Sequence, residues 1–107
     1  MKIAAVIPAY NEGKRVGNVV ADAKKFVDYV IVVDDGSTDN TKEFASQAGA
    51  ITLRHIENCG AGAATMTGID AARELGVDII VTLDADEQHS PDDIPALLEP
   101  IKSGKAD

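Results

Sequence analysis

The sequence predicts an α/β domain of three layers, a mostly parallel four-stranded sheet between helices. Three observations predict it. Four short apolar runs alternate with stretches of helical periodicity, the order that gives right-handed crossovers and parallel strands. The first two runs are almost continuously apolar rather than alternating, as in strands covered on both faces. The first, second and fourth runs each end in polar or acidic residues, on the edge where open α/β sheets bind ligands. A doubly wound sheet would have strand order 3-2-1-4, with its switch point between strands 1 and 4.

The first strand is expected over Lys2 to Ile7, with Pro8 ending it. The loop Pro8-Ala9-Tyr10-Asn11-Glu12-Gly13 then offers an aromatic ring, an amide and a carboxylate. The chain has only two tyrosines and two phenylalanines, so Tyr10 on a Pro/Gly-flanked loop is expected to be exposed and able to stack on a base. Val16, Val19, Val20, Ala23 and Val27 follow helical spacing, with Asp22, Lys24 and Lys25 on the solvated side.

Tyr29 to Val33 is the second buried strand, delivering Asp34-Asp35-Gly36-Ser37-Thr38-Asp39. Neighbouring side chains of an extended chain point to opposite faces, so one of Asp34 and Asp35 can meet a ligand while the other bonds local backbone. Ser37, Thr38 and Asp39 are suited to cap a helix running to Gly49. Ala50 to Ile56 forms a weaker third strand, in which either Arg54 or His55 faces solvent and His55 is structural. Asn58-Cys59-Gly60-Ala61-Gly62 opens a helix rich in small residues and closed by Leu75-Gly76. Gly60 and Gly62 would let a ligand approach the backbone at a helix start, where free N–H groups favour anions, although the small residues are also explained by close packing on the sheet.

Val77 to His89 carries the fourth strand into Asp84-Ala85-Asp86. On an extended chain Asp84, Asp86 and Gln88 share a side, an oxygen donor set suited to Mg2+ or Mn2+. Ser90-Pro91-Asp92-Asp93 carries helix-start signals for an apolar stripe of Ile94, Leu97, Leu98 and Ile101, which Pro100 should bend or end.

The 107 residues fit a single domain, residues 1–107. A net charge of −8 argues against nucleic acid as a partner, and it means that a bound diphosphate would need a metal bridge. No stretch resembles a membrane span or a signal peptide, so a cytoplasmic location is expected. Cys59 is the only cysteine and is read as an ordinary thiol.

Ile7-Pro8-Ala9-Tyr10-Asn11-Glu12, Val32-Val33-Asp34-Asp35-Gly36-Ser37-Thr38-Asp39, the glycine-rich start from Asn58 to Gly68, and Asp84-Ala85-Asp86-x-Gln88-His89-x-Pro91 occur together in one order. In this the chain resembles the N-terminal, donor-binding half of a family 2 glycosyltransferase of GT-A type, most nearly the polyprenol- and dolichol-phosphate mannosyl- and glucosyltransferases. The resemblance implies a truncated, Rossmann-like GT-A domain that binds a nucleoside-diphosphate sugar, GDP-mannose or UDP-glucose. It implies that Pro8, Ala9, Tyr10 and Glu12 hold the nucleoside, with Tyr10 near the base and Glu12 near the ribose. Val33 and Asp35 would line the base pocket, and Gly60 and Gly62 would also approach the donor. Asp84 and Ala85 would contact the donor, with Asp84, Asp86 and Gln88 at the metal.

Transfer would invert the anomeric centre, onto an acceptor such as a polyprenyl phosphate at a membrane surface, with the parent protein membrane-associated. The sequence departs from the family at Ala61, where Lys or Leu is frequent, at Glu87, where Gly is common, and at Ser90, where Pro is common. The general base is expected beyond Asp107, so these residues alone should bind donor without transferring sugar. The uncovered edge of the fourth strand is expected to pair copies of the chain. The competing readings are an isolated nucleotide- or metal-binding fragment without activity, and a phosphoacceptor receiver domain. The latter is disfavoured because it needs its acidic pair after the first strand, where Tyr10-Asn11-Glu12 stands.

Overall fold

The computed structural model describes residues 1–85. They form β1 (Ile3–Ala9), α1 (Val16–Ala23), β2 (Tyr29–Asp34), α2 (Thr41–Gln47), β3 (Ile51–Arg54), α3 (Ala61–Glu74) and β4 (Ile79–Thr82). All strand pairs are parallel and the sheet order is β3-β2-β1-β4, as the sequence predicts. The helix expected near residue 93 lies outside the described residues, as do Asp86 and Gln88.

The alternation of strand side chains divides the core in two. Ile3, Ala5, Ile7 and Ala9 of β1, with Val30 and Val32 of β2, pack against Val16, Val19, Val20 and Ala23 of α1 and Ala45 of α2. Ala4, Val6, Ile31 and Val33 point the other way, onto Ala64 and Ala72 of α3. The fully buried valines and isoleucines of these strands each stabilise the fold by about 1.5 to 3 kcal/mol. Val27, expected on the stripe of α1, lies beyond the helix and packs only partly buried against the first cluster.

The approach of α3 to the sheet depends on Gly68. A Cβ at that position would lie 2.3 Å from Val6 Cγ1 and 3.3 Å from Val33 Cγ2. The small residues of α3 therefore do serve close packing at this point.

Pro8 does not end the first strand. β1 continues through Ala9, with Pro8 in register with Val33. The backbone groups of Ala9 face β2, where its carbonyl accepts Asp35 N–H at 2.8 Å, and those of Val6 face β4, where its carbonyl accepts Leu83 N–H at 3.0 Å. Pro8 is two residues after Val6, so its missing N–H falls on the β4 side, where the ladder stops at Thr82. The proline thus leaves the β1–β2 ladder intact and opens the sheet between β1 and β4 at its C-terminal edge.

The third strand is shorter than the Ala50 to Ile56 expected, although His55 N–H still reaches Asp34 O at 2.9 Å. α2 ends at Gln47 with Ala48 as its C-cap, and Gly49 closes it one residue further on, where Gly49 N–H donates to Ser46 O and Ala50 N–H to Ala45 O at 3.0 and 3.1 Å.

Candidate donor-binding site

Parallel strands bring the loops after β1, β2 and β4 to one edge. The first two are tied together by side-chain bonds between residues far apart in sequence. Asn11 N–H donates to Ser37 Oγ at 2.8 Å, and Asn11 Oδ1 accepts Thr38 N–H at 2.9 Å. Glu12 N–H donates to Thr41 Oγ1 and Gly13 N–H to Asp39 Oδ2, both at 3.0 Å. Asn11 itself has φ +53°, a left-handed backbone that asparagine tolerates better than most residues. Ser37 and Thr38, expected as helix caps, instead fix the loop that carries Tyr10. Asp39 also accepts Thr41 N–H at 3.0 Å, but the N-cap position of α2 is taken by Asn40, whose side chain makes no capping bond.

The adjacent aspartates divide as the sequence suggests. Asp34 is buried and accepts the local Ser37 N–H at 2.9 Å, with Arg54 Nε 3.9 Å from its other oxygen. Asp35 is buried at the centre of a different set of contacts. Its Oδ1 accepts Cys59 N–H at 2.9 Å and His55 Nδ1–H at 2.8 Å, and its Oδ2 accepts Gly60 N–H at 2.9 Å. The amides leading into α3 are therefore aimed at a carboxylate of the protein itself.

Gly36 makes this approach possible. It has φ +75°, and a Cβ there would lie 2.7 Å from Asn58 N, so a side chain would push the β3–α3 loop away from Asp35.

These bonds hold Asp35 below the ordinary carboxylate range. Burial is the largest influence and pushes the value up, but the Cys59 amide, His55 and the Gly60 amide together outweigh it. Asp39 is also lowered: desolvation again raises it, and the Thr41 hydroxyl with the Gly13 and Thr41 amides overcomes that. A carboxylate whose folded pKa lies below its unfolded value of about 3.9 adds stability above that pH and loses it as pH falls through the folded value. The melting temperature should hold steady from pH 7 to about 5 and fall steeply below about pH 4. An acid-insensitive melting curve would show that these bonds do not hold the two loops.

A cavity of about 120 Å³ lies above Asp35, lined by Pro8, Ala9, Tyr10, Asn58, Ala61 and Ala64. Tyr10 is 46% exposed at its rim. Four of the expected donor-contacting residues, Pro8, Ala9, Tyr10 and Asp35, thus share one concavity. Glu12 lies across the loop in a polar cavity of about 320 Å³, with Asn11, Lys14, Arg15 and Asp39, and pairs with Arg15 at 3.6 Å. Val33, expected to line the base pocket, is instead fully buried against α3 beneath it. Gly62 is exposed, and a Cβ there would meet nothing within 4 Å. Asp84 and the buried Ala85 follow β4 on the same edge of the sheet.

Of the pair Arg54 and His55, the arginine is the more exposed, with 45% of its side chain exposed against 17% for the histidine. His55 is turned inward to Asp35, and its Nε2 bonds Thr67 Oγ1 of α3 at 2.9 Å. Nothing local in the sequence marks this contact, because Asp35, His55 and Thr67 lie on three different elements. Asp35, His55 and the exposed Cys59 offer ligand atoms within 4.8 Å of one another. Hydrogen bonds already occupy both acceptor sites of Asp35 Oδ1 and engage both ring nitrogens of His55, so the trio is not an open metal site. The oxygen donors after β4 are of the kind that suits a hard divalent ion.

The family model described as Glycosyl transferase family 2 matches residues 4–107. The chain belongs to glycosyl transferase family 2. Over 92% of its length it is 44% identical to the UDP-N-acetylglucosamine–dolichyl-phosphate N-acetylglucosaminyltransferase of Methanococcus voltae, covering 47% of that protein. It is 34% identical to the dolichol-phosphate mannosyltransferase of Pyrococcus furiosus, with 97% of this chain and 31% of that enzyme covered. A family-like fold is also seen in glucosyl-3-phosphoglycerate synthase from Mycobacterium tuberculosis, crystallised with Mn2+, uridine-diphosphate-glucose and phosphoglyceric acid. It matches with a TM-score of 0.77 at 26% identity, over 97% of this chain and 40% of that one. The chain therefore spans less than half the length of each of these family relatives.

Proposed function

We propose that residues 1–107 form the donor-binding part of a glycosyltransferase that takes a nucleoside-diphosphate sugar, with a divalent metal, for inverting transfer to an acceptor such as a polyprenyl phosphate. The observation that carries this reading is the buried, ionised Asp35 beneath the cavity that Pro8, Ala9 and Tyr10 border. A carboxylate only accepts hydrogen bonds, so it suits the N–H edge of a nucleobase, while the Tyr10 ring offers a face for stacking. The relatives' uridine- and dolichol-linked names support the same donor and acceptor classes.

Within the reading each residue has a limited task. Asp35 orients the base, Tyr10 covers it, and the bonds from Ser37, Thr41 and Asp39 keep the Tyr10 loop in place before the donor arrives. Such preorganisation spares the ligand the cost of ordering the loop. Glu12, in the neighbouring polar cavity, is placed for the ribose. Asp84, Asp86 and Gln88 would hold Mg2+ or Mn2+, which when bound supplies positive charge opposite the diphosphate leaving group. Gly62 and Ala85 leave room at the donor's edge. In-line transfer also requires an oriented acceptor oxygen and a base to deprotonate it where it is not already anionic. A polyprenyl-phosphate acceptor would bring the parent protein to a membrane surface; among the described residues no helix is long and apolar enough to cross a membrane.

Calorimetric titration of the chain with UDP, GDP and ADP in the presence of Mn2+ tests this reading. Micromolar binding of UDP or GDP is expected, without transfer of labelled sugar from UDP-glucose or GDP-mannose to polyprenyl phosphate. Binding of none of the three nucleotides would defeat the donor-site reading, and metal-dependent transfer would place the acceptor site within these residues.

A further inference from the structure

The acceptor capacity of Asp35 is nearly spent. A carboxylate has about four lone-pair sites, two on each oxygen. Oδ1 uses both, for Cys59 N–H and His55 Nδ1–H, and Oδ2 uses one for Gly60 N–H. A single acceptor position on Oδ2 remains. Because Asp35 is held ionised, His55 must be the donor in their bond, and its ring is fixed from the far side by Thr67 Oγ1 at 2.9 Å. Thr67 Oγ1 is in turn 3.0 Å from Ala63 O in its own helix. The imidazole is thus braced between β2 and α3 and cannot turn away from the carboxylate without breaking a bond.

We propose that His55, braced by Thr67, is a positioning residue that sets base specificity by closing one oxygen of Asp35 to the ligand. This rests on the donor-site reading of Asp35 above. With Oδ1 closed, the carboxylate can accept from one N–H only. That matches uracil, whose imide N–H stands alone between two carbonyls. Guanine presents N1–H and N2–H side by side, a pair that needs both carboxylate oxygens, and in this site one of the two is left without an acceptor. A desolvated, unpaired donor is strongly disfavoured, so the structure assigns a uridine diphosphate rather than a guanosine diphosphate to this cavity. Loss of the histidine would return one lone pair to Oδ1 and restore two-point recognition of guanine.

Calorimetric titration of the full chain with UDP and with GDP, in Mn2+, reads this as a ratio of dissociation constants. The wild-type chain should prefer UDP by about tenfold or more, the scale of one hydrogen bond to a charged group. His55→Ala should collapse that preference, mainly through tighter GDP binding, which general damage to the site would not produce. His55→Asn, whose amide can replace Nδ1–H, should retain it, and Thr67→Val should give an intermediate ratio. Circular dichroism establishes that each variant is folded. If His55→Ala does not fold, the decision passes to the other two variants. A preserved ratio in folded His55→Ala, or in Thr67→Val when His55→Ala does not fold, would overturn the assignment while leaving the donor site standing. A wild-type preference for GDP would do the same. Binding of neither nucleotide would overturn the donor-site reading itself.

Discussion

Removal of the divalent ion with EDTA, or the substitution Asp86→Asn, is expected to cut the affinity for a nucleoside diphosphate by roughly a thousandfold. The chain has a net charge of −8, and Asp84, Asp86 and Glu87 follow one another closely in the loop proposed to face the diphosphate. At about 4 Å and an effective dielectric near 20, one like-charge pair costs about 4 kcal/mol, which corresponds to that factor. Hydrogen bonding to the base and stacking on Tyr10 contribute too little to offset several such pairs. Titration of UDP in Mn2+ and then in EDTA measures the effect. The Asp86→Asn chain should behave alike in the two buffers. Equal wild-type affinity in both would mean that the diphosphate does not lie against these carboxylates.

Replacement of Gly68 by leucine is expected to destabilise the chain by more than about 3 kcal/mol, and by alanine by about 2 kcal/mol, the upper range for overpacking a filled core. Alanine would add up to about 1 kcal/mol of helix propensity, but its Cβ would sit 2.3 Å from Val6 Cγ1. Val6 is fully buried on a strand hydrogen-bonded on both sides, so it cannot give way as the end of a flexible side chain would. The helix must move instead. Ala64 lines the cavity and Thr67 braces His55, both within the same helical turn or so of Gly68. Nucleotide affinity should therefore fall along with stability. Urea denaturation gives the first quantity and UDP titration the second. A Gly68→Ala chain as stable as wild type would show that the helix has room to withdraw.

The sequence by itself determined the layers, the strand order and the apolar stripe that α1 turns to the sheet. Those features follow from local periodicity: the continuous apolar character of residues 3–7 and 30–33 requires cover on both faces, and Val16, Val19, Val20 and Ala23 mark a single stripe. It also indicated the functional edge, because parallel strands must release their C-terminal loops on one side. It divided Asp34 from Asp35 as well, since side chains on an extended strand alternate.

Only the tertiary structure decided what each polar group does there. Pro8 is read locally as a strand breaker, yet the side on which its N–H is missing depends on where the β4 ladder ends. Ser37 and Thr38 have the composition of helix caps, yet Asn11 reaches them first. His55 carries no local sign of its role, which arises when Asp35 and Thr67 are brought to its two ring nitrogens from different elements. Helix and strand patterns are set by neighbours a few residues apart and can be read along the chain. A hydrogen bond across 12 to 27 residues exists only once the sheet has fixed the distance between the loops.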